Sequence, residues 1–215
     1  MKIAVIGRGG HSKVISEMIL SNKDYQIVAY LDDKYANVRL TENIFCGPIA
    51  SINKLLKYDQ KIKFIIAIGN NKTRKLIADK LNLPNEYYET IIHNTSIISD
   101  CTKIGKGTVV MPGSVINADT EIGNHAIINT GSVIEHDCVI GDFSHVCPGV
   151  TLTGAVHLEE GTFIGAGATI IPNMRVGEWV TIGAGATIIQ DIPPYCTAVG
   201  NPAKVVNNNL SMKVN

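Results

Sequence analysis

The chain has 215 residues, of which 45% are hydrophobic, 6% aromatic and 18% charged. Nineteen basic residues balance nineteen acidic ones, which argues against a nucleic-acid-binding protein that depends on a broad positive field. The apolar fraction is too high for disorder, and the apolar runs are far shorter than the roughly 18 residues of a membrane helix. We therefore expect a folded chain that binds no nucleic acid and inserts into no membrane.

Residues 1–85 alternate short apolar strands with amphipathic helices. We predict strands at 2–6, 26–31 and 63–68, and helices at 12–21 and 73–81. This alternation is typical of a small parallel α/β sheet of the Rossmann-like type.

A glycine-rich turn, Gly7-Arg8-Gly9-Gly10-His11-Ser12, joins the first strand to the first helix. Backbone amides in such a turn can bind phosphate, helped by the helix dipole. The dinucleotide fingerprint has a third glycine where this chain has Ser12, so a mononucleotide or sugar nucleotide is favoured over NAD. A tight turn without a ligand is the remaining alternative. Asp32, at the end of the second strand, could accept hydrogen bonds from a nucleotide.

Every sixth residue from Ile92 to Ile188 is Ile, Val or Leu, without a break in register. A period of six fits neither an amphipathic helix nor a simple alternating strand. It is typical of a parallel β-helix, in which three hexapeptides close one triangular coil of about 18 residues. We expect the aliphatic residues to point inward, and glycines together with Asn117 and Asn129 to occupy corners with left-handed backbone angles.

The predicted organisation is an α/β domain at 1–85, a β-helix at 86–193 and a C-terminal tail at 194–215. We expect the last ten or so residues of the tail to be loosely ordered.

A histidine stands between two acids within the repeat, in Glu135-His136-Asp137-Cys138. Imidazole titrates near neutrality and can take a proton from a nucleophile, and a neighbouring carboxylate can orient the ring. A solvated surface histidine is the alternative. His145 follows half a coil later, so the two histidines should face different sides of one chain and could meet across a subunit interface.

Metal and disulfide chemistry are not expected. His125, His136, His145 and His157 are separated by 11, 9 and 12 residues, spacings that do not stack ligands from coil to coil. The five cysteines show no CxxC spacing, which argues against a disulfide framework or zinc site and favours a reducing cytoplasm.

Four motifs together resemble a known family. They are Gly-Gly-His-Ser at 9–12, Leu-Asp-Asp at 31–33, Ala-Ile-Gly-Asn-Asn at 67–71 and Glu-His-Asp-Cys-Val-Ile-Gly-Asp-Phe-Ser-His-Val at 135–146. The chain resembles the sugar O/N-acyltransferases with a left-handed β-helix, above all the bacillosamine-type UDP-4-amino-sugar N-acetyltransferases. The resemblance implies acetyl-CoA as donor, no metal, and a homotrimer with active sites at subunit interfaces.

The resemblance also implies residue roles. It makes His136 the general base and Asp137 the acid that raises its basicity. The other positions implied for acyl transfer are Asn129 near the reacting groups, His145 at the acetyl-CoA end from the neighbouring chain, Gly154 as a backbone donor near the thioester carbonyl, and Ala166 and Ala184 along the pantetheine. The positions implied for the nucleotide sugar are Gly9, Gly10, His11, Asp32, Asp33, Gly69 and Asn70.

The leading hypothesis is therefore acetyl transfer from acetyl-CoA to the amino group of a UDP-4-amino-4,6-dideoxy sugar. Direct transfer is expected, with a covalent route through Cys138 or Cys147 as the rival mechanism. An O-acetyltransferase acting on sialic acid or another glycan precursor is the nearest alternative function. A non-catalytic β-helix scaffold would explain the repeat but not the histidine between two acids.

Overall fold

The computed structural model describes residues 1–208, which fall into two compact units. The N-terminal unit is Met1–Ile91, and the second unit, here called the coil unit, begins at Ile92. The predicted domain boundary at 85/86 lies a few residues before this division. The loose order expected of the last ten or so residues falls largely on residues 209–215, which lie outside the described part of the chain.

A five-stranded sheet forms the centre of the N-terminal unit. Its strands are Lys2–Ile6 (β1), Gln26–Leu31 (β2), Arg39–Thr41 (β3), Ile44–Gly47 (β4) and Lys63–Ile66 (β5). The helices are Gly10–Ser21 (α1), Ile52–Tyr58 (α2) and Asn71–Leu81 (α3), with short 3-10 helices at Ile49–Ser51 and Asn85–Tyr87. The strand order is β3-β4-β2-β1-β5; β3 and β4 pair antiparallel and the other neighbours pair in parallel.

The three predicted strands and two predicted helices are all present. The helices begin two residues earlier than predicted, and β5 ends at Ile66 rather than at 68. The prediction missed the β3–β4 hairpin and α2. Every residue of β3 is exposed, so this edge strand carries no buried apolar run for a sequence pattern to reveal.

The carboxyl ends of β1, β2 and β5 meet at one edge of the sheet. Gly7 follows β1 with φ +106°, and a Cβ placed on it would lie 2.8 Å from Cγ1 of Ile68. The close approach of the two strand ends therefore requires glycine at this position. Ligands of open α/β sheets bind at such an edge.

The coil unit consists of two-residue strands separated by corners. In chain order they are Ile91–Ile92 (β6), Ile97–Ile98 (β7), Lys103–Ile104 (β8), Val109–Val110 (β9), Val115–Ile116 (β10), Glu121–Ile122 (β11), Ile127–Ile128 (β12), Val133–Ile134 (β13), Val139–Ile140 (β14), His145–Val146 (β15), Thr151–Leu152 (β16), His157–Leu158 (β17), Phe163–Ile164 (β18), Thr169–Ile170 (β19), Arg175–Val176 (β20), Thr181–Ile182 (β21) and Thr187–Ile188 (β22). Two longer strands, Cys196–Gly200 (β23) and Ala203–Asn208 (β24), follow.

Every third strand pairs in parallel, which produces the three faces of a triangular prism. One face contains β7, β10, β13, β16, β19 and β22, the second contains β8, β11, β14, β17 and β20, and the third contains β6, β9, β12, β15, β18 and β21. Val115 pairs with Val133 and Ile116 with Ile134, which confirms the predicted coil of about 18 residues. Within the predicted tail, β23 extends the third face and β24 folds back against it.

Inward-pointing aliphatic residues fill the prism, and small hydroxyl residues connect its coils. Ile116, Ile134 and Leu152 are at most 1% exposed. The buried Thr108 Oγ1 donates to the carbonyl of Gly123 at 2.7 Å, and Ser114 Oγ donates to that of Asn129 at 2.9 Å. These two hydroxyls, like that of Thr120, each satisfy a main-chain carbonyl of the next coil, which favours small hydroxyl residues at this position of the repeat.

The left-handed corner positions differ from those predicted. Positive φ recurs at every sixth residue from Gly107 to Gly185, and neither Asn117 nor Asn129 is among these positions. Glycines that directly follow an aliphatic residue serve another purpose. A Cβ on Gly105 would lie 2.5 Å from the carbonyl carbon of Gly123 in the next coil, so close stacking excludes a side chain there.

Candidate functional site

The turn after β1 exposes the amino end of α1. The helix begins at Gly10, so His11 lies in its first turn and not before it. A Cβ placed on Gly9 or Gly10 would meet no heavy atom of residues 1–208 within 4 Å, and neither residue has a positive φ. Packing and backbone angle therefore do not explain these glycines, whereas close approach of an anionic ligand to the amides would.

His11, in the first turn of α1, faces the loop after β5. A Cβ placed on Gly69 would be 3.9 Å from Cγ of His11. Burial, and after it the positive charge of Arg74, lowers the pKa of His11 to about 4. The ring is therefore neutral near pH 7 and can form hydrogen bonds to a ligand without adding a charge.

The two aspartates after β2 are partly used by the loop itself. Asp32 Oδ1 accepts from the amide of Lys34 at 2.9 Å, and Asp33 Oδ1 accepts from the amide of Ile49 at 3.0 Å. Asp33 thereby ties the loop after β2 to the 3-10 helix after β4. Each carboxylate keeps a second oxygen as an acceptor for a ligand.

Asn70 caps α3. Its Oδ1 accepts from the amide of Thr73 at 2.9 Å and from Thr73 Oγ1 at 3.0 Å. The cap fixes the loop in which Gly69 lies and leaves the amide nitrogen of Asn70 as its donor group.

A basic cleft near this edge was not anticipated from the sequence. It encloses about 510 Å³ and is lined by Arg8, Lys34, Tyr35, Ala36, Asn37 and Arg39. The guanidinium of Arg8 lies 3.9 Å from the centroid of the Tyr30 ring. Only the tertiary fold brings Arg8, in the turn before α1, close to the two cations that follow β2.

In the coil unit, His136, Asp137 and Gly154 lie together at one corner. His136 Nδ1 is 2.7 Å from Asp137 Oδ2, and about 62% of the histidine side chain is exposed. The hydrogen bond to Asp137 raises the pKa of His136 above its usual value. The arrangement orients Nε2 as an accessible base nitrogen.

Gly154 occupies the equivalent corner position of the next coil. A Cβ placed on it would lie 2.7 Å from Cε1 and 2.8 Å from Nε2 of His136. The absence of a side chain at Gly154 therefore makes room for the imidazole ring.

Asn129 and His145 form a second pair, on the third face of the prism. Asn129 Nδ2 is 3.0 Å from His145 Nε2, and its Oδ1 accepts from the amide of Thr130. With the amide in this orientation, its nitrogen donates to Nε2 of His145. Phe163 packs edge-on against the buried imidazole at 5.3 Å. His136, at the corner after the first face, lies on a different side of the chain, as the half-coil spacing predicts.

Ala166 and Ala184 lie one coil apart on an edge of small residues. Both are exposed. The following positions, Gly167 and Gly185, have positive φ, and a Cβ on either would meet no described atom within 4 Å. The edge is thus smooth and open, with room for a narrow, extended ligand.

The two cysteines near His136 are buried. Cys138 is 0% exposed and donates from Sγ to the carbonyl of Thr153 at 3.3 Å. Burial raises the pKa of the Cys138 thiol, and it raises that of Cys147 to about 12. Both thiols therefore remain protonated and are poor nucleophiles.

The chain matches known proteins along almost its whole length. Residues 2–81 match the PglD N-terminal domain, and residues 101–135, 119–154 and 155–190 match the bacterial transferase hexapeptide (six repeats). Perosamine N-acetyltransferase from Caulobacter crescentus, crystallised with CoA and GDP-perosamine, is 32% identical; the similarity has a TM-score of 0.86 and covers 96% of this chain and 97% of that chain. The chain belongs to this family of sugar N-acetyltransferases.

Other members of the sugar N-acetyltransferase family support the same assignment. The acetyltransferase domain of PglB from Neisseria gonorrhoeae, in complex with acetyl coenzyme A, is 34% identical, with a TM-score of 0.85 over 95% of this chain and 98% of that chain. UDP-N-acetylbacillosamine N-acetyltransferase of Bacillus subtilis is 42% identical over 109 residues. That match spans about half of this chain and half the length of the curated relative.

Family membership confirms the predicted resemblance and the predicted left-handed class of the β-helix. Within residues 1–208, no helix is long and apolar enough to cross a membrane. The same residues contain no group of three or more His, Cys, Asp or Glu placed to hold a metal ion.

Proposed function

We propose that this chain transfers an acetyl group from acetyl-CoA to the amino group of a UDP-4-amino-4,6-dideoxy sugar. The observation that carries the proposal is the exposed His136–Asp137 pair, whose ring fits against Gly154 at a corner of the coil. Two relatives support the choice of donor and acceptor: the perosamine N-acetyltransferase that was crystallised with CoA and GDP-perosamine, and the UDP-N-acetylbacillosamine N-acetyltransferase.

In the proposed mechanism, His136 acts as the general base. Its Nε2 accepts the proton lost by the acceptor amine as the amine nitrogen bonds to the thioester carbonyl carbon. The bond from that carbon to sulfur breaks, and CoA leaves as the thiolate. Asp137 holds the ring by Nδ1 and stabilises the imidazolium. The amide of Gly154 is proposed to donate to the developing oxyanion.

The remaining coil residues are proposed to hold the donor. The smooth edge at Ala166 and Ala184 is suited to the pantetheine arm, because larger side chains would fill the space above it. Asn129 and His145 are proposed to act as a hydrogen-bonded pair at the acetyl end, contributed by the neighbouring chain of a homotrimer.

The N-terminal unit is proposed to bind the nucleotide sugar. Gly9, Gly10 and His11 would contact the diphosphate and sugar at the amino end of α1. Asp32 and Asp33 would accept from the uracil or ribose through the carboxylate oxygens that the loop leaves available, and the loop of Gly69 and Asn70 would lie beside them.

We further propose that the reaction takes place in the cytoplasm. All five cysteines are free thiols in the structure, which suits a reducing compartment. The proposed donor is a cytoplasmic metabolite, and a direct transfer mechanism needs no oxidising environment.

The function is tested by measuring the release of free CoA thiol. The acceptors offered are UDP-, GDP- and dTDP-linked 4-amino sugars and free sialic acid. We expect turnover with a UDP-linked 4-amino sugar.

His136→Ala should lower kcat by a factor of about 100 or more, the usual contribution of a general base. The matched control Cys138→Ala should retain activity, because its thiol is buried and protonated. Preference for sialic acid would support O-acetylation instead, and activity of His136→Ala near wild type would contradict the mechanism.

A further inference from the structure

Arg74, in the second turn of α3, is a cation buried in the N-terminal unit. Its side chain is among the largest that are fully buried, with 1% exposure. A charge removed from water is costly unless it is hydrogen-bonded, and residues that serve only to fill a core are apolar. Burial lowers the pKa of Arg74 to about 9, so the guanidinium remains a cation near neutral pH.

The guanidinium holds the loop that follows β5. Nη1 donates to the carbonyl of Ile68 at 2.9 Å and to that of Gly69 at 3.3 Å, and Nη2 donates to Asn71 Oδ1 at 3.0 Å. Asn70 already caps α3, so starting the helix does not require Arg74. The arginine instead fixes the position of Gly69, which faces the His11 ring across the sheet edge.

The same cation acts on His11. Two effects, burial and the charge of Arg74 on α3, keep the imidazole neutral. Arg8, a basic residue of the turn itself, has its guanidinium over the Tyr30 ring. A neutral His11 can accept or donate a hydrogen bond, while the positive charge behind it favours an anion at the amino end of α1.

We propose that Arg74 is a positioning residue of the nucleotide-sugar site: it fixes the Ile68–Gly69 loop against His11 and supplies a buried positive charge behind the diphosphate. The ligand class is a nucleoside diphosphate, and this inference rests on the proposed function. Arg74 touches neither substrate. Its effect is expected in the affinity for the nucleotide sugar and not in the affinity for acetyl-CoA.

Three variants test the proposal in the full chain: Arg74→Met, Arg74→Lys and the control Lys75→Met. The control removes a partly exposed cation, which pairs with Asp79, from the next position of α3. Arg74→Met should raise KM for the nucleotide sugar, and Kd for UDP by calorimetry, by about tenfold, because the Gly69 loop loses its hydrogen bonds and the positive charge behind the diphosphate is removed. KM for acetyl-CoA should not change. Arg74→Lys should restore part of the affinity, because it keeps the charge, and Lys75→Met should resemble wild type.

A second readout is independent of ligand and catalysis. In Arg74→Met, the NMR titration of the His11 ring should move to higher pH than in wild type, whereas in Lys75→Met it should not. An unchanged titration, unchanged UDP affinity in Arg74→Met, or an equal rise in both KM values would overturn the role of Arg74. A wild-type chain that binds no UDP is a different result, because it contradicts the proposed function itself.

Discussion

Asp137 combines a left-handed backbone with a bond to the proposed base. Its φ is +60°, and its carboxylate contacts Nδ1 of His136. Asparagine tolerates the same backbone region, so Asp137→Asn changes the charge without adding backbone strain. The substitution therefore isolates the electrostatic effect of the carboxylate on the imidazole.

Asp137→Asn should shift the pH dependence of kcat/KM. A base works only when deprotonated, so activity rises as pH passes the pKa of His136, which Asp137 raises. Without the carboxylate that pKa falls, and the acidic limb of the profile should move to lower pH with a lower plateau. Glu135→Gln is the control: the charge of Glu135 raises the pKa of His136 less than Asp137 does, so this substitution should shift the limb less. A limb that stays in place in Asp137→Asn would contradict the assignment.

Gly154→Ala should inactivate the enzyme by displacing His136. The new methyl group would overlap Cε1 and Nε2 of the ring, so kcat should fall while the backbone, which has no positive φ at this position, accepts alanine. A double-mutant cycle distinguishes this cause from a general loss of structure. In a His136→Ala background the ring is gone, and Gly154→Ala should have no further effect on the residual rate. An additive loss would mean that Gly154 acts independently of His136.

At several corners of the coil, a residue adopts a left-handed backbone conformation that its type disfavours, and the coil remains folded. One column of left-handed positions contains His125 and Phe143, whose rings stack with centroids 5.0 Å apart, and Trp179. Aromatic residues are unfavourable at positive φ. Glycines in the same column make room for them, since a Cβ on Gly161 would lie 2.5 Å from the Trp179 ring.

Gly161→Ala should therefore destabilise the coil more than Gly113→Ala. Both glycines have φ +68°, so each substitution costs about 1–2 kcal/mol of left-handed strain. A Cβ on Gly113 meets no described atom within 4 Å, whereas that on Gly161 overlaps the indole and should cost about 1–3 kcal/mol more. Chemical denaturation measures both changes in the free energy of unfolding. Equal losses would show that Trp179 moves aside freely.

The period of six was sufficient to predict the two-residue strands β6–β22, because stacking fixes the inward aliphatic residues of successive coils. Strands β23 and β24 lie in the predicted tail, outside the repeat. The left-handed corners were not predictable from residue type, since Trp179 and Phe143 occupy positions that favour glycine, and Asn117 does not. At the proposed site, the neighbouring positions of His136 and Asp137 indicated their pairing. The contact of Gly154 with His136 depends on coil stacking, and Arg74 resembled an ordinary surface arginine on a predicted helix.

At the scale of the whole molecule, the two halves of the proposed acyl-transfer site lie on different sides of one chain. His136 is at the corner after the first face, whereas Asn129 and His145 are paired on the third face. A homotrimer of parallel prisms would bring a corner of one chain close to a face of the next. Each active site would then need His136 from one chain and His145 from its neighbour.

Mixed trimers test this arrangement. Chains with His136→Ala and chains with His145→Ala, carrying different affinity tags, can be co-expressed and the mixed oligomers purified through both tags. Purification through both tags removes the parental trimers, and every remaining 2:1 or 1:2 trimer has about one interface in three that pairs an intact His136 with an intact His145. Specific activity should therefore reach about a third of the wild-type value, well above either parent, because cyclic interfaces can combine the two intact residues. Activity no higher than the mean of the parents would mean that both histidines serve a site within one chain.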